Sequence, residues 1–346
     1  PNQVAGIATN TLTLTDEFDG DTEAATPGVV LTVYLHDGSS TVAQDMEPEY
    51  IAVSGDGTTA YVTLQENNAL AVIDLTTQTA TAILPLGTKN HSIPGNEIDG
   101  SDRDGPGGST AVGIKNQPVH GLFMPDTIVS YVVNGNTYLI TANEGDGREY
   151  EAFVEEIRFK DSAIDEGAID DPSHFDDDAE LGRLLTSNTF DTDQDGDLDQ
   201  LYSFGTRSFS VWDAAGNLLA DSGSQFAVIT AQRYGVNFNN DNDETDGDSR
   251  SDAKGCEPEA AIVGKVGESW YAFIGLERMG GIMVYDVTQP ESPKFVLYTS
   301  NRDVNVQSED FGDPAGDYGP EGFAFVSADD SPNGKPLLIV GSVRCV

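Results

Sequence analysis

The chain has 346 residues, and its 59 acidic side chains against 17 basic ones give a formal charge of −42. Such a field repels phosphate backbones and anionic lipid, which excludes nucleic acid and acidic membrane surfaces as partners. No apolar run approaches the roughly 20 residues that a bilayer-spanning helix requires, so no transmembrane segment is expected.

The charge has two physical readings, which are compatible. It captures cations, or it keeps the chain soluble in a salty medium where screening removes the cost of self-repulsion. Cys256 and Cys345 are the only cysteines. They exclude a disulfide framework and a cysteine-rich metal site and leave a single bridge open. The chain opens at Pro1 with neither an initiator Met nor a basic, apolar leader, as expected of a processed mature chain or a fragment.

In chain order, short β-rich runs bounded by Gly, Asn, Asp and Pro recur at residues 50–53, 59–64, 69–74, 128–133, 137–142, 209–212, 270–276 and 281–287. This spacing predicts an all-β fold. Helical periodicity is confined to residues 151–160 and 177–185, read as excursions from a sheet framework. Glu47-Pro-Glu-Tyr-Ile-Ala-Val53 repeats as Glu257-Pro-Glu-Ala-Ala-Ile-Val263 and as Gly319-Pro-Glu-Gly-Phe-Ala-Phe325. The first copy is followed by Ala60 to Glu66 and the second by Tyr271 to Glu277, with a further relative in Tyr138 to Glu144. Each unit is therefore strand, turn, strand ending in Glu, turn, strand ending in Asp.

That pattern predicts a β-propeller with roughly 40 residues per blade. Four or five blades can be counted in a single domain spanning 1–346, with 1–40 as the remnant of a preceding blade. Long acidic insertions at 88–118, 145–200 and 232–256 interrupt it, as loops that are either disordered or ordered by metal.

The sharpest motif is Asp191-Thr-Asp-Gln-Asp-Gly-Asp-Leu-Asp199, which matches the start of a D-x-D-x-D-G calcium loop. Asp191, Asp193 and Asp195 would converge on one hard cation because Gly196 lets the chain turn around it. Asp197 would lend its carbonyl, and Asp199 would act directly or through water. Tyr202 stands where the bidentate Glu of such loops belongs, and strand-like flanks make this a hairpin loop rather than a helix pair. Asp241, Asp243, Asp246 and Asp248 form a second acidic stretch without a clean register. The Asp99-to-Gly105 stretch is a third candidate, equally readable as a turn. Ca2+ is the expected cofactor.

The repeat supplies two sets of equivalent acids. Glu66, Glu144 and Glu277 end their strands, while Glu49, Glu259 and Glu321 begin theirs. Facing a central channel, they would converge and need a cation or protons; otherwise they cap turns or pair with arginines. Arg103, Arg148, Arg278 and Arg302 lie near acids and are candidates either for a phosphate clamp or for salt bridges. There is no G-x-S-x-G and no H-E-x-x-H, and the four histidines lack ligand spacing. Asp161-Ser-Ala163 resembles the nucleophile tripeptide of alkaline phosphatases, but the α/β sheet and histidine ligands of that fold are missing.

Longer stretches resemble the choice-of-anchor I family: Val42 to Ser54, Val62 to Leu70, Thr141 to Asp146, Gly205 to Ser210, Tyr271 to Glu277 and Asp330 to Leu338. The resemblance covers about residues 40 to 341. It implies a secreted or cell-surface β-propeller, similar to the mesenchyme-specific cell-surface glycoprotein of sea urchin biomineralisation, and some members are labelled alkaline phosphatase. The family carries further blades ahead of the segment near Gly28, so the chain resembles the C-terminal part of a larger ring. Cys256 and the end at Ser342 to Val346 depart from the family pattern.

Two functions follow as expectations. One is a calcium-binding structural, matrix or binding module whose partners are calcium ions, other copies or matrix components. The other is a calcium-dependent phosphoesterase of the alkaline phosphatase or phytase kind. In it, Glu49, Glu66, Glu144, Glu259, Glu277 and Glu321 would hold the metal that activates water.

Overall fold

The computed structural model describes residues 9–12, 31–34, 46–151, 153–165, 167–170, 175–191, 195–242, 245–306 and 314–344. Asp193, Asp243, Cys345 and most of residues 1–40 lie outside them. The protein is all-β, with 41% strand and 6% helix, and no described helix is long and apolar enough to cross a membrane.

A first two-stranded ladder joins β1 (Thr9–Leu12) to β2 (Leu31–Tyr34). Four sheets then follow in sequence. The first pairs β3 (Pro48–Val53), β4 (Thr59–Leu64), β5 (Ala69–Asp74) and β6 (Thr79–Pro85) in order. In the second, β9 (Ile128–Val133) and β10 (Asn136–Asn143) continue into β16 (Ser208–Asp213) and β17 (Leu218–Asp221). The third contains β18 (Pro258–Val266), β19 (Ser269–Leu276), β20 (Ile282–Asp286) and β21 (Lys294–Thr299). A fourth pair joins β22 (Tyr318–Val326) to β23 (Leu337–Arg344). Each sheet meets the next through its leading strands: β3 on β9, β10 and β9 on β18, and β18 on β22.

Alternation explains these contacts. Inward side chains such as Ile140, Phe209, Val211, Ala272, Ile274 and Tyr285 are buried between the second and third sheets. Tyr61, Leu70, Phe123, Leu139 and Trp212 fill the space between the first and second. Trp212 donates its indole N–H to Thr141 Oγ1 at 2.9 Å, so this large ring is buried without an orphaned donor.

The insertions are not featureless loops. β7 (Thr88–Asn90), β8 (His120–Leu122), β13 (Glu156–Arg158), β14 (Leu185–Ser187) and β15 (Tyr202–Ser203) make a five-stranded sheet. It draws on both 88–118 flanks and 145–200, and Ile98, Val119, Phe159, Leu181, Leu184 and Leu201 give this region its own apolar cluster.

The two expected helices are corrected. Residues 153–158 pair as short strands, because Phe153-Val154 joins the Glu149–Tyr150 strand and Glu156–Arg158 joins β14, leaving a 3-10 turn at Phe159–Asp161. Residues 177–184 form successive turns. The ten-residue α1 (Gln225–Tyr234) lies instead in a stretch whose Val228, Ile229 and Thr230 disguise it by β-branching. Packing of Phe226 and Ala227 into the core overrides that propensity.

One close approach bears on the site. Gly145 (φ 91) and Gly205 (φ 69) touch backbone to backbone, and a Cβ on Gly205 would stand 2.0 Å from the Glu144 carbonyl. Gly205→Ala should therefore cost about 2–4 kcal/mol and lower the melting temperature by several degrees. Gly57→Ala, at a turn with φ 73 and open space around it, should cost about 1 kcal/mol. Thermal denaturation of both variants checks the difference.

Candidate metal centre

The Pro-Glu motif has a structural meaning. The ladder breaks at the same point in three sheets, between Pro48 and Ile51, Pro258 and Ala261, and Pro320 and Gly322. A bulge there re-aims the residue after proline. The second sheet carries the same element as Met124-Pro125-Asp126, three residues ahead of Ile128, just as Pro258 stands three ahead of Ala261. Asp126 is thus the counterpart of Glu49, Glu259 and Glu321, a site residue hidden from the repeat because Met and Asp replace two Glu.

Register also moves one assignment. Ile51 pairs with Val62, Ile128 with Thr141 and Ala261 with Ile274. Counting three residues on from each partner gives Gln65, Glu144 and Glu277. Gln65, rather than Glu66, occupies the rung of Glu144 and Glu277, and its Nε2 donates to Glu144 Oε2 at 2.9 Å. Glu66 lies one residue further, where burial and then Glu47, Glu49 and Asp146 push its carboxyl up to about 7.

Glu144 at the end of β10, Glu257 just before β18 and Glu277 at the end of β19 each place a carboxylate oxygen within 4.8 Å of the other two. Glu257 is 1% exposed and sits at φ 49, a backbone conformation that costs a non-glycine residue about 1–3 kcal/mol. It is gripped from both sides. Arg250 Nε donates to its Oε1 at 2.9 Å and Arg278 Nε to its Oε2 at 3.0 Å, while Arg278 also lies 3.3 Å from Glu277.

Burial, then Glu257 and Glu259, hold the Glu144 carboxyl well above its ordinary range. Burial and Glu257 raise Glu277 to about 7, and burial, Glu277, Asp126 and Glu321 raise Glu259 to about 8. Arg250 and Glu257 are the members that repeat reasoning passed over. Glu257 was visible as the first acid of Glu-Pro-Glu, whereas Arg250 comes from an insertion and has no repeat signal.

The remaining predicted residues are placed as follows. Glu49 and Glu321 are exposed at the leading strands of their sheets. Arg148 is buried against Glu155 at 3.0 Å, and Arg302 donates to the backbone of Arg278 and Asp241 and to Asn240, bracing the segment beside Arg278. Arg103 is half exposed, 3.5 Å from Asp178. Asp241 lies 3.7 Å from Arg250 and 3.8 Å from Arg278. Asp246 is exposed, and Asp248 is fully buried.

Of the Asp191-to-Asp199 loop, Asp193 lies outside the described residues. Both carboxylate oxygens of Asp191 accept backbone N–H bonds, from Asp195 and Gly196 at 3.1 Å each. Among the described residues, the side chains of Asp165, Asp195 and Asp197 cluster, because a parallel bridge between Ile164 and Leu198 brings Asp165 alongside. Asp199 N donates to Phe190 O at 2.9 Å and closes the loop. Cys256 is buried, with its thiol pushed up to about 12 by burial, which makes it a packing residue rather than a ligand.

The family model described as Choice-of-anchor I domain matches residues 3–290. A curated relative, Gigasin-3a of Magallana gigas, is 34% identical over 173 residues, covering 47% of this chain. The chain spans 61% of that relative's length. Among solved structures, a functionally unknown protein from Desulfotomaculum acetoxidans DSM 771 is similar over 97% of this chain and 56% of its own, at 10% identity and a TM-score of 0.31. Kuenenia stuttgartiensis hydrazine synthase is similar over 90% of each chain, at 12% identity and a TM-score of 0.22.

A carboxyl whose native pKa lies above its ordinary value of 4.5 binds protons more tightly when folded. The stability it contributes is present below the ordinary value and lost as pH rises through the native one. In EDTA, the melting temperature should fall as pH rises from 4.5 through about 7 to about 8, the range set by Glu277 and Glu259. Glu277→Gln should flatten that fall, and an unchanged slope across a pH series would remove the cluster from the account.

Proposed function

The chain belongs to the choice-of-anchor I domain family, and we propose that it is a calcium-binding β-propeller module of the secreted or cell-surface kind. Its binding centre is the Glu144–Glu257–Glu277 cluster. The single observation that carries this reading is the approach of three carboxylate oxygens within 4.8 Å, supplied by two neighbouring sheets. Two guanidinium groups partly balance three carboxylates there, and Glu259, Asp241 and Asp126 add to the excess. A hard divalent cation meets that excess with the ligand chemistry it prefers.

The propeller reading is supported by four successive sheets joined through their leading strands and by the shared Pro-Glu bulge. The formal charge of −42 suits a protein that gathers cations or meets cationic partners, including matrix components or bridged copies of itself. It disfavours nucleic acid.

A binding role is favoured over phosphoester hydrolysis because three of the four candidate phosphate arginines are committed elsewhere. Arg148 is committed to Glu155, Arg302 to backbone and amide oxygens, and Arg278 to Glu257 and Asn242.

Isothermal titration of Ca2+ into the EDTA-stripped chain should give binding that the Glu144→Gln/Glu277→Gln double variant weakens at least tenfold, with the fold retained by circular dichroism. Hydrolysis of p-nitrophenyl phosphate, with and without Ca2+, should stay at background. Calcium-dependent turnover abolished by the double variant would replace the binding-module reading with a phosphoesterase.

A further inference from the structure

Beyond the buried cores between them, the four sheets share one open groove. β3, β9, β18 and β22 together line a cavity of about 290 Å3, and none of its lining residues carries a charge. Ile51, Ile128, Val129, Ile262, Val263 and Phe323 make most of its wall. The groove opens to solvent on the β3 side, where Ile51 is 62% exposed and Tyr50 41% exposed. Of its two hydroxyls, Tyr50 and Ser130, the second is taken up by the Val53 carbonyl, to which Ser130 Oγ donates at 2.5 Å. Exposed apolar surface gathered in one place, unlike scattered apolar residues, marks a surface of contact.

One end of this groove is acidic. Glu49, Asp126, Glu259 and Glu321 each follow a proline and stand one or two positions ahead of the first lining residue of their strand, Tyr50, Ile128, Ala261 and Phe323 respectively. They lie within electrostatic reach of one another in that order. Burial, and beyond it Glu49, raises Asp126 to about 6, while burial, then Glu277, Asp126 and Glu321, raises Glu259 to about 8. Among the described ion pairs none involves any of the four. Glu259 Oε2 is buried with no hydrogen-bond partner. An uncharged apolar wall thus ends in a mouth of four carboxylates.

Lysine and arginine have the matching chemistry, because their methylene stems lie along apolar surface while the cationic head stays at a polar edge. A bare metal ion would meet the mouth and leave the wall unused. A wholly apolar partner would cover the wall and desolvate the carboxylates without compensation. The cavity falls just below the usual size of small-ligand pockets, about 300–1,000 Å3, and so suits one or two inserted side chains. A second copy of the chain carries the same formal charge of −42 and is repelled.

We propose that the groove lined by β3, β9, β18 and β22 docks a basic segment of a partner polypeptide, with a lysine or arginine stem against Ile51, Ile262 and Phe323 and its cationic head among Glu49, Asp126, Glu259 and Glu321. Steering of the partner follows from the acidic field of the whole chain, and the groove supplies the place where it stops. The inference rests on the binding-module reading for its role. It does not require calcium at Glu144, Glu257 and Glu277, and the test lets the two fail separately.

Fluorescence anisotropy of a labelled eight-residue peptide of alternating Gly and Lys, titrated with the full chain in calcium-containing buffer, reads the contact. The wild type should bind it, and Glu49→Gln/Glu321→Gln, at two exposed carboxylates, should weaken binding about fivefold. Glu268→Gln/Asp329→Asn removes the same charge from exposed positions in the turns after β18 and β22, and should leave the affinity within about twofold. Ile51→Ser should weaken binding about threefold with no change of charge, and so should a peptide whose lysines are replaced by short-stemmed diaminopropionic acid. Glu144→Gln/Glu277→Gln should bind the peptide as the wild type does, even where its calcium binding is lost. The proposal is overturned if the wild type does not bind, or if the turn variant loses as much as Glu49→Gln/Glu321→Gln. It is equally overturned if neither Ile51→Ser nor the short-stemmed peptide weakens binding, or if Glu144→Gln/Glu277→Gln alone abolishes it.

Discussion

The organisation of the molecule depends on one buried ion pair, that of Glu257 with Arg250 and Arg278. Glu257 is almost wholly withdrawn from water, and a carboxylate in that position survives only when oppositely charged groups and hydrogen bonds compensate its desolvation. Arg278 comes from the turn after β19, within the repeat framework, and Arg250 comes from the insertion at 232–256. One carboxylate therefore couples the sheet scaffold to the loop layer. The Glu277 N–H donates to the Glu257 carbonyl at 2.8 Å, so the same residue also fixes the backbone that carries the neighbouring acid.

From that pair the local charge pattern follows. The guanidinium groups satisfy Glu257, and Gln65 supplies Glu144 with a neutral donor. Glu277 and Glu259 remain close, and burial raises both. The site is held by backbone as much as by charge, since the contact of Gly145 with Gly205 fixes where Glu144 leaves its strand. The insertions contribute a sheet and an apolar cluster of their own, and they carry Arg250 to a place the repeats alone would leave empty.

Much of the sheet framework was legible because its signal is local. Alternating β-branched and aromatic runs such as Thr59–Leu64 and Ala69–Asp74 are strands over the spans that their sequence suggests. The Pro-Glu repeat marked real equivalence, down to a shared bulge. What stayed hidden was non-local. A ladder shift of one residue exchanges Glu66 for Gln65, and no sequence period reveals a shift introduced at a bulge. Asp165 reaches Asp195 and Asp197 only through a parallel bridge spanning an insertion, and Asp99 is tied to Ser251 and Ala253 only through Arg207. The α1 helix was masked by β-branched residues whose helical state is decided by the core that they meet.

The central claim is that the fold concentrates carboxylates where its second and third sheets meet, for a cation to join. The most direct measurement is anomalous diffraction from crystals of the chain stripped with EDTA and regrown in calcium. The account predicts an anomalous peak about 2.3–2.6 Å from oxygens of Glu144, Glu257 and Glu277. Calcium-grown crystals with no peak there, and with Glu257 bound to Arg250 and Arg278 alone, would contradict it.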